Sequence, residues 1–154
     1  MSESEPNPYA PPNADVPPVV AGTGEPLYSE QQVGIATFLG SPIAGFILLA
    51  RNYERLGQSE QVGKMIGMGL GATVVTFGIA FVLPEDFPGA PLGLIYTFGM
   101  YKLAEMWQGT ELAQHFSQGR PKASNWSAVG IGLLCLLAVV ALIVAMVFAV
   151  GDLT

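Results

Sequence analysis

The sequence has little of what metal sites and nucleic-acid surfaces require. It contains one cysteine, Cys135, and one histidine, His115, among 154 residues. A single cysteine cannot form an intrachain disulfide, and the histidine has no second ligand at metal-binding spacing, so no metal or cofactor is expected. Six Lys and Arg residues face twelve Asp and Glu. That balance argues against nucleic acid as a partner.

Catalytic groups are also missing from the sequence. No glycine-rich loop precedes Lys-Ser or Lys-Thr, and no serine or cysteine nucleophile is accompanied by a plausible base. The acidic pair Glu85 and Asp86 lies in the proline-flanked segment PEDFPGAP, which we interpret as a turn. These absences predict a protein that is not an enzyme and has no catalytic residues.

Charge is scarce where the apolar residues concentrate. Hydrophobic residues make up 51% of the chain and charged residues 12%, and the mean hydropathy is +0.46. A helix that crosses a bilayer core of about 30 Å needs roughly 20 apolar residues. Four stretches approach that length, at about 33–50, 65–83, 90–109 and 127–150. The sequence therefore predicts an all-α, four-helix transmembrane bundle over residues 31–154, with the lipid bilayer around it.

The N-terminal segment has no basic residue and no apolar run. Its first 26 residues hold seven prolines and four acidic residues. Such a composition cannot bury enough apolar surface to fold, and the prolines favour extended polyproline II conformations. We therefore predict a disordered, proline-rich tail over residues 1–30.

Basic residues are confined to two parts of the chain. They lie in or beside the segments that connect the first stretch to the second and the third to the fourth. The six are Arg51, Arg55, Lys64, Lys102, Arg120 and Lys122. Lys and Arg near the ends of membrane spans are retained on the cytoplasmic side. The basic loops 51–64 and 110–126 are therefore predicted to be cytoplasmic.

The first apolar stretch carries helix-breaking residues in its middle, Gly40, Ser41 and Pro42. Its 18 residues would reach about 27 Å as a helix, and a lone proline is tolerated in a spanning helix. We favour a span that is kinked at Pro42 and packed against the face of Gly67, with the tail outside the cytoplasm. The alternative is a re-entrant hairpin, which would put the tail in the cytoplasm and leave both basic loops in place.

Small residues recur at four-residue spacing in the second and fourth stretches. They are Gly63, Gly67 and Gly71 in one and Ala141, Ala145 and Ala149 in the other. Small residues on one face allow helix backbones to approach closely in lipid. We interpret both series as helix-packing surfaces inside the bundle, with a homo-oligomer interface as the alternative.

A lysine interrupts the third stretch. Lys102 lies ten residues beyond Leu92, about 15 Å along a helix, a depth at which a lysine costs about 2.5 to 3.5 kcal/mol. Glu105 follows one turn later and can offset that cost. One interpretation is a buried pair that lines a polar seam with Thr97 and Gln108. The other, which we favour, is a short tilted span whose Lys102 extends to the cytoplasmic interface.

Two segments carry a family resemblance, LYSEQQVGIATFLGSPIAGFILLARNYERLGQ and GRPKASNWSAVGIGLL. They resemble a group of small bacterial integral membrane proteins that share a Tyr-Ser, Gln-Val, Phe-Leu-Gly, Pro, Gly, Asn-Tyr series. The similarity spans residues 27 to about 135. It implies a multi-pass protein of the bacterial inner membrane, and because the group has no assigned activity it implies no catalytic residue.

The expected role is that of a non-enzymatic packing or accessory subunit. Its partner would be a second copy of the chain or another membrane protein. The alternative role is a small transporter or channel component that uses Lys102 and Glu105.

Overall fold

The computed structural model describes residues 24–84 and 86–151, and these form four helices. Helix α1 spans Glu30–Arg55, α2 spans Ser59–Val82, α3 spans Gly89–Ser117 and α4 spans Asn125–Gly151. The predicted all-α, four-helix fold is confirmed. Most of the predicted disordered tail, residues 1–23, lies outside the described residues.

The described end of the predicted tail is folded. Leu27 and Tyr28 are each only 1% exposed. The N–H of Leu27 donates to the carbonyl of Pro121 at 3.3 Å, and the N–H of Ala123 donates to the carbonyl of Leu27 at 2.8 Å. The prediction of disorder up to residue 30 is therefore wrong at this end, because these two residues supply the apolar surface that the preceding segment lacks.

Helix α1 reverses direction in its middle. Gly40 and Ser41 leave the helical conformation, with φ −119° and ψ 19° at Gly40 and φ 68° and ψ 174° at Ser41. Pro42 then starts the second half, where its missing N–H would have no partner in any case. Two hydrogen bonds of 2.8 Å join Tyr28 to Asn52, 24 residues away, although a straight helix would separate them by about 36 Å.

The favoured prediction of one continuous span at 33–50 is therefore wrong, and the re-entrant alternative has the observed geometry. The kink lies immediately before Pro42, as the sequence predicts. Residues 30–39 reach about 15 Å and residues 42–55 about 21 Å as helices. Each half extends about half to two thirds of the thickness of a bilayer core.

The α1 hairpin is the centre of the fold. Within the described residues, α2, α3 and α4 each pack on α1, and no Cα atom of one of these three helices lies within 8 Å of a Cα atom of another. Glycines allow the closest approaches: a Cβ added to Gly132 of α4 would lie 3.1 Å from Cβ of Leu39. One added to Gly69 of α2 would lie 2.8 Å from Cβ of Phe46. The hairpin thus fills the space that the other three helices surround.

The outer surface of this bundle is apolar, which is the reverse of the arrangement in a water-soluble bundle. In the most apolar 18-residue window of α1, 67% of the residues are buried, against 11% in α2 and in α4. Large apolar side chains such as Val74 and Phe148 are 71% and 70% exposed, and continuous apolar surface of this kind is uncommon on soluble proteins. By length and composition, α1, α2 and α4 are apolar enough to cross a membrane.

Candidate functional site

A cluster of buried polar side chains joins the two ends of α1 to the rest of the chain. We call it the basal lock and define it by its four central residues, Tyr28, Gln32, Asn52 and Gln108. Each is no more than 2% exposed. A buried polar group destabilises the folded state unless it is hydrogen-bonded. The hydrogen-bond partners of these four side chains therefore show which segments the cluster holds together.

Asn52 connects three segments of the chain. Its Oδ1 accepts a hydrogen bond from the N–H of Tyr28 at 2.8 Å, while its Nδ2 donates to the carbonyl of Tyr28 at 2.8 Å and to Oε1 of Gln108 at 3.0 Å. Gln108 Nε2 donates in turn to the carbonyl of Leu49 at 3.0 Å. One asparagine and one glutamine therefore hold the start of α1, its end and the middle of α3 together.

Gln32 ties the start of α1 to the α3–α4 connection. Its Oε1 accepts from the N–H of Ser29 at 3.0 Å in a capping box, which stabilises the first turn of the helix. Its Nε2 donates to the carbonyl of Ala123 and to Oδ1 of Asn125, both at 2.7 Å. The same side chain therefore caps one helix and anchors the beginning of another.

Tyr28 contributes its hydroxyl and its aromatic ring to the basal lock. Its hydroxyl lies 2.7 Å from Oγ of Ser127, and the guanidinium of Arg55 stands 5.1 Å from the ring centroid. Burial alone would raise the pKa of the phenol, but the bond to Ser127 and the nearby Arg51 and Arg55 lower that pKa below its usual value. The ring is thus fixed by an apolar environment, a hydrogen bond and a cation–π contact.

The single histidine of the chain, His115, lies next to the basal lock. His115 is 5% exposed, and its Nε2 lies 3.1 Å from the carbonyl of Pro121. That proline also accepts from Leu27. Among the described residues no group of three His, Cys, Asp or Glu side chains could hold a metal ion. The arrangement around His115 positions the α3–α4 connection.

The tip of the hairpin differs from the lock. Oγ of Ser41 is buried and has no hydrogen-bond partner in the described structure. Its backbone has a positive φ with an extended ψ, a region that non-glycine residues enter at a cost of about 1 to 3 kcal/mol. A Cβ added to Gly40 would overlap the carbonyl oxygen of Gly132. The tip is therefore strained and pressed against α4.

The small residues predicted to pack inside the bundle lie on its outside. All six are exposed: Gly63, Gly67, Gly71, Ala141, Ala145 and Ala149. A Cβ added to any of the three glycines would meet no atom within 4 Å. The interpretation of these series as internal packing surfaces is therefore wrong for the described chain. The neighbour at the kink is Gly132, not the face of Gly67.

The Lys102–Glu105 pair, which the less favoured of our two interpretations placed in the interior, lies on the surface of the described chain. Nζ of Lys102 is 2.6 Å from Oε2 of Glu105, and the two side chains are 49% and 47% exposed. Gln108 is fully buried and belongs to the basal lock, and Thr97 is half-buried. The structure brings the charged pair together but not the polar seam, which is wrong. Neither the apolar groove between α2, α3 and α4 nor the charged pocket beside the basal lock, both described below, is lined by the pair.

An apolar groove lies at the other end of the bundle, beyond the hairpin tip. It has a volume of ≈ 520 Å³ and is lined by the end of α2, the α2–α3 turn, the start of α3 and Ile143 of α4. Its lining residues carry no polar side chain, so only backbone atoms could orient a substrate there.

Several structurally important residues were not singled out from the sequence. Asn52 and Gly45 hold the hairpin closed, and Gln32 ties its start to the α3–α4 connection. The helix breakers offer a signal for the first two, because the contacting pairs Thr37–Gly45 and Tyr28–Asn52 are both centred on residues 40–41.

In comparisons with known proteins, the chain matches no protein-family model, no curated protein and no solved structure.

Proposed function

We propose that this protein is a non-enzymatic, multi-pass protein of the bacterial inner membrane that acts as a packing subunit, associating with a second copy through the outer face of α2. The observation that carries the proposal is the position of the glycine series. Gly67 lies two residues from the buried Met65 and Gly69, and two residues turn a helix by about 200°. The series therefore faces directly away from α1.

The chemistry of that face supports self-association. The glycines at 63, 67 and 71 leave a shallow furrow with nothing in it, and Val74 continues the same face, 71% exposed. In lipid, helices associate through close backbone packing at such small residues rather than through a hydrophobic driving force. Meanwhile the polar side chains of the basal lock are engaged within the chain and offer no reactive group.

The transport alternative has weaker support. It needs a polar path through the membrane domain, whereas Lys102 and Glu105 bind each other on the outer surface. Flux through the purified protein that is lost in Lys102→Met would favour transport over packing.

We further propose that the tail is cytoplasmic, together with the loops 51–64 and 110–126. Supporting this, Leu27 pairs with Lys122, and Arg55 forms an ion pair with Glu25, so the beginning of the described chain lies at the basic end of the bundle. With α1 as a hairpin on the cytoplasmic side, α3 would cross the membrane together with α2 and α4, since its 29 residues are long enough, although it is less apolar than either. The C-terminal end of α4 would then face the opposite side.

This orientation predicts a labelling pattern for single cysteines in a Cys135→Ala background. A membrane-impermeant maleimide on intact cells is expected to label Asp86→Cys, in the α2–α3 turn, and to leave Ser4→Cys and Ser124→Cys unlabelled. Permeabilised cells, in which all three should react, are the control. Labelling of Ser4→Cys in intact cells would contradict the proposed side of the tail.

The packing proposal predicts that Gly67→Leu weakens self-association by roughly tenfold, because a branched side chain fills the furrow. The measurement is the dimer fraction in lipid vesicles by single-molecule photobleaching across protein densities. Gly99→Leu is the matched control, since Gly99 is also helical, exposed and without a neighbour within 4 Å.

Equal dimer fractions in the wild type, Gly67→Leu and Gly99→Leu would refute the α2 interface. A monomer at every density would refute self-association altogether.

A further inference from the structure

A second pocket, of ≈ 350 Å³, opens beside the basal lock and is charged. It is lined by Glu25, Arg51, Glu54 and Arg55, two acids and two bases whose formal charges cancel. Glu54 and Arg55 follow Arg51 by three and four residues on α1, so these three side chains share one face of the helix. Glu25, from the segment before α1, closes the other side through an ion pair of 3.3 Å with Arg55.

Two of the four charges are not engaged in ion pairs. Within the described chain, the ion pairs are Arg55–Glu25 and Lys102–Glu105, and neither Arg51 nor Glu54 joins them. Arg51 hydrogen-bonds to the hydroxyl of Tyr28, which leaves the other N–H donors of its guanidinium for a ligand. Arg51 and Glu54 are both exposed and both line the pocket. The pocket therefore presents one guanidinium and one carboxylate to a ligand, beside a pair that is already fixed.

The pocket lies at the end of the apolar part of α1. Arg51 follows directly on the apolar residues Leu48, Leu49 and Ala50, which are buried. Basic side chains at the end of an apolar helix lie at the level of lipid headgroups, where they meet phosphate. In the proposed membrane setting, the molecules at highest concentration outside this pocket are phospholipids of the cytoplasmic leaflet.

We infer that this pocket binds the phosphoethanolamine headgroup of a membrane lipid, with the phosphate at Arg51 and the primary ammonium at Glu54. Arginine matches phosphate oxygens through its fork of N–H donors. A primary ammonium carries three N–H donors for carboxylate oxygens, and Glu25 adds negative charge on the same side. The spacing of one helical turn between Arg51 and Glu54 places both signs within the span of one headgroup.

The charge balance selects this headgroup over its competitors. A phosphatidylglycerol headgroup has a phosphate but no cation, so it would leave the carboxylate of Glu54 without a partner. A phosphatidylcholine headgroup has a cation that carries no N–H, so it cannot donate to the carboxylates. The inference rests on the proposed membrane setting but not on self-association through α2.

The test is native mass spectrometry of the full chain, released from detergent micelles and titrated with dioleoyl phosphatidylethanolamine, -choline or -glycerol. The ethanolamine lipid is expected to bind about tenfold more tightly than either other lipid, as one or two charge-assisted hydrogen bonds provide. Arg51→Gln should weaken its binding by a similar factor. Glu54→Gln should bring its affinity down to that of the choline lipid.

Lys64→Gln and Glu60→Gln serve as matched controls, since both are exposed charges on α2 outside the pocket and should leave the preference intact. Adducts are counted separately on monomer and dimer peaks, so a loss of self-association does not affect this result. Equal affinities for the ethanolamine and choline lipids would overturn the inference, as would a preference that survives Glu54→Gln. Displacement of the lipid by millimolar inorganic phosphate would assign the pocket to a free anion and likewise overturn it.

Discussion

Asn52→Ala is expected to lower the free energy of unfolding by about 3 kcal/mol or more, since each buried polar group left without a partner costs about 1 to 3 kcal/mol. The substitution strands three of them: the N–H and the carbonyl of Tyr28, and Oε1 of Gln108. The measurement is reversible unfolding in mixed micelles, followed by circular dichroism against the mole fraction of denaturing detergent.

Gln31→Ala is the control, because Gln31 is an exposed amide on the same helix and its loss should change stability by less than about 0.5 kcal/mol. If Asn52→Ala were no more destabilising than Gln31→Ala, the basal lock would not hold the hairpin closed.

Gly45→Ala is the second substitution with a large expected effect, about 1 to 3 kcal/mol of destabilisation from overpacking. The added methyl group would overlap Oγ1 of Thr37, whereas Cβ of Thr37 lies 3.5 Å away, an ordinary contact distance. Met100 Cε, at 3.0 Å, is the mobile end of a flexible side chain. Removing the threonine hydroxyl should therefore make room for alanine.

The double variant Thr37→Ala, Gly45→Ala is accordingly expected to be more stable than the sum of the two single effects predicts, by about 0.5 to 3 kcal/mol. This coupling is specific to the hairpin, because in a continuous helix residues 37 and 45 would lie about 12 Å apart and their effects would add. Strict additivity in a double-mutant cycle, measured by the same unfolding assay, would restore the straight-span prediction.

Hydropathy is sufficient to predict the helical segments but not the path of the first one. The predicted stretches 65–83, 90–109 and 127–150 fall within or close to α2, α3 and α4. The helix of the third continues to Ser117. Two antiparallel half-length helices have the same composition as one full-length helix, so composition alone cannot separate a span from a hairpin. The breakers at 40–42 locate the turn without giving its angle.

The basal lock was beyond prediction for a related reason. Gln32 meets partners 91 and 93 residues later in the chain, and Asn52 meets Gln108 56 residues later. A single sequence carries no signal for such pairings, and an amide in an apolar helix resembles any other isolated polar residue. The outward-facing glycines of α2 raise a different difficulty. A small-residue series predicts close helix packing, but it does not indicate whether the partner helix belongs to the same chain.

The Tyr-Ser, Gln-Val, Gly, Pro and Asn-Tyr residues of the first quoted segment lie on the lock and the turn of this chain, at Tyr28, Gln32, Gly40, Pro42 and Asn52. In this chain they therefore belong to the lock and to the turn of the hairpin.

The long separation between Gln32 and its partners also has a consequence for biosynthesis. At about 5 to 20 residues per second, the 91 residues between Gln32 and Ala123 take roughly 5 to 20 s to translate. During that interval α1 has emerged from the ribosome, but the carbonyl that satisfies its buried amide does not yet exist. The first helix to be made is thus the last to have its buried amide satisfied, so the start of α1 can dock on the α3–α4 connection only after residues 123–125 have been made.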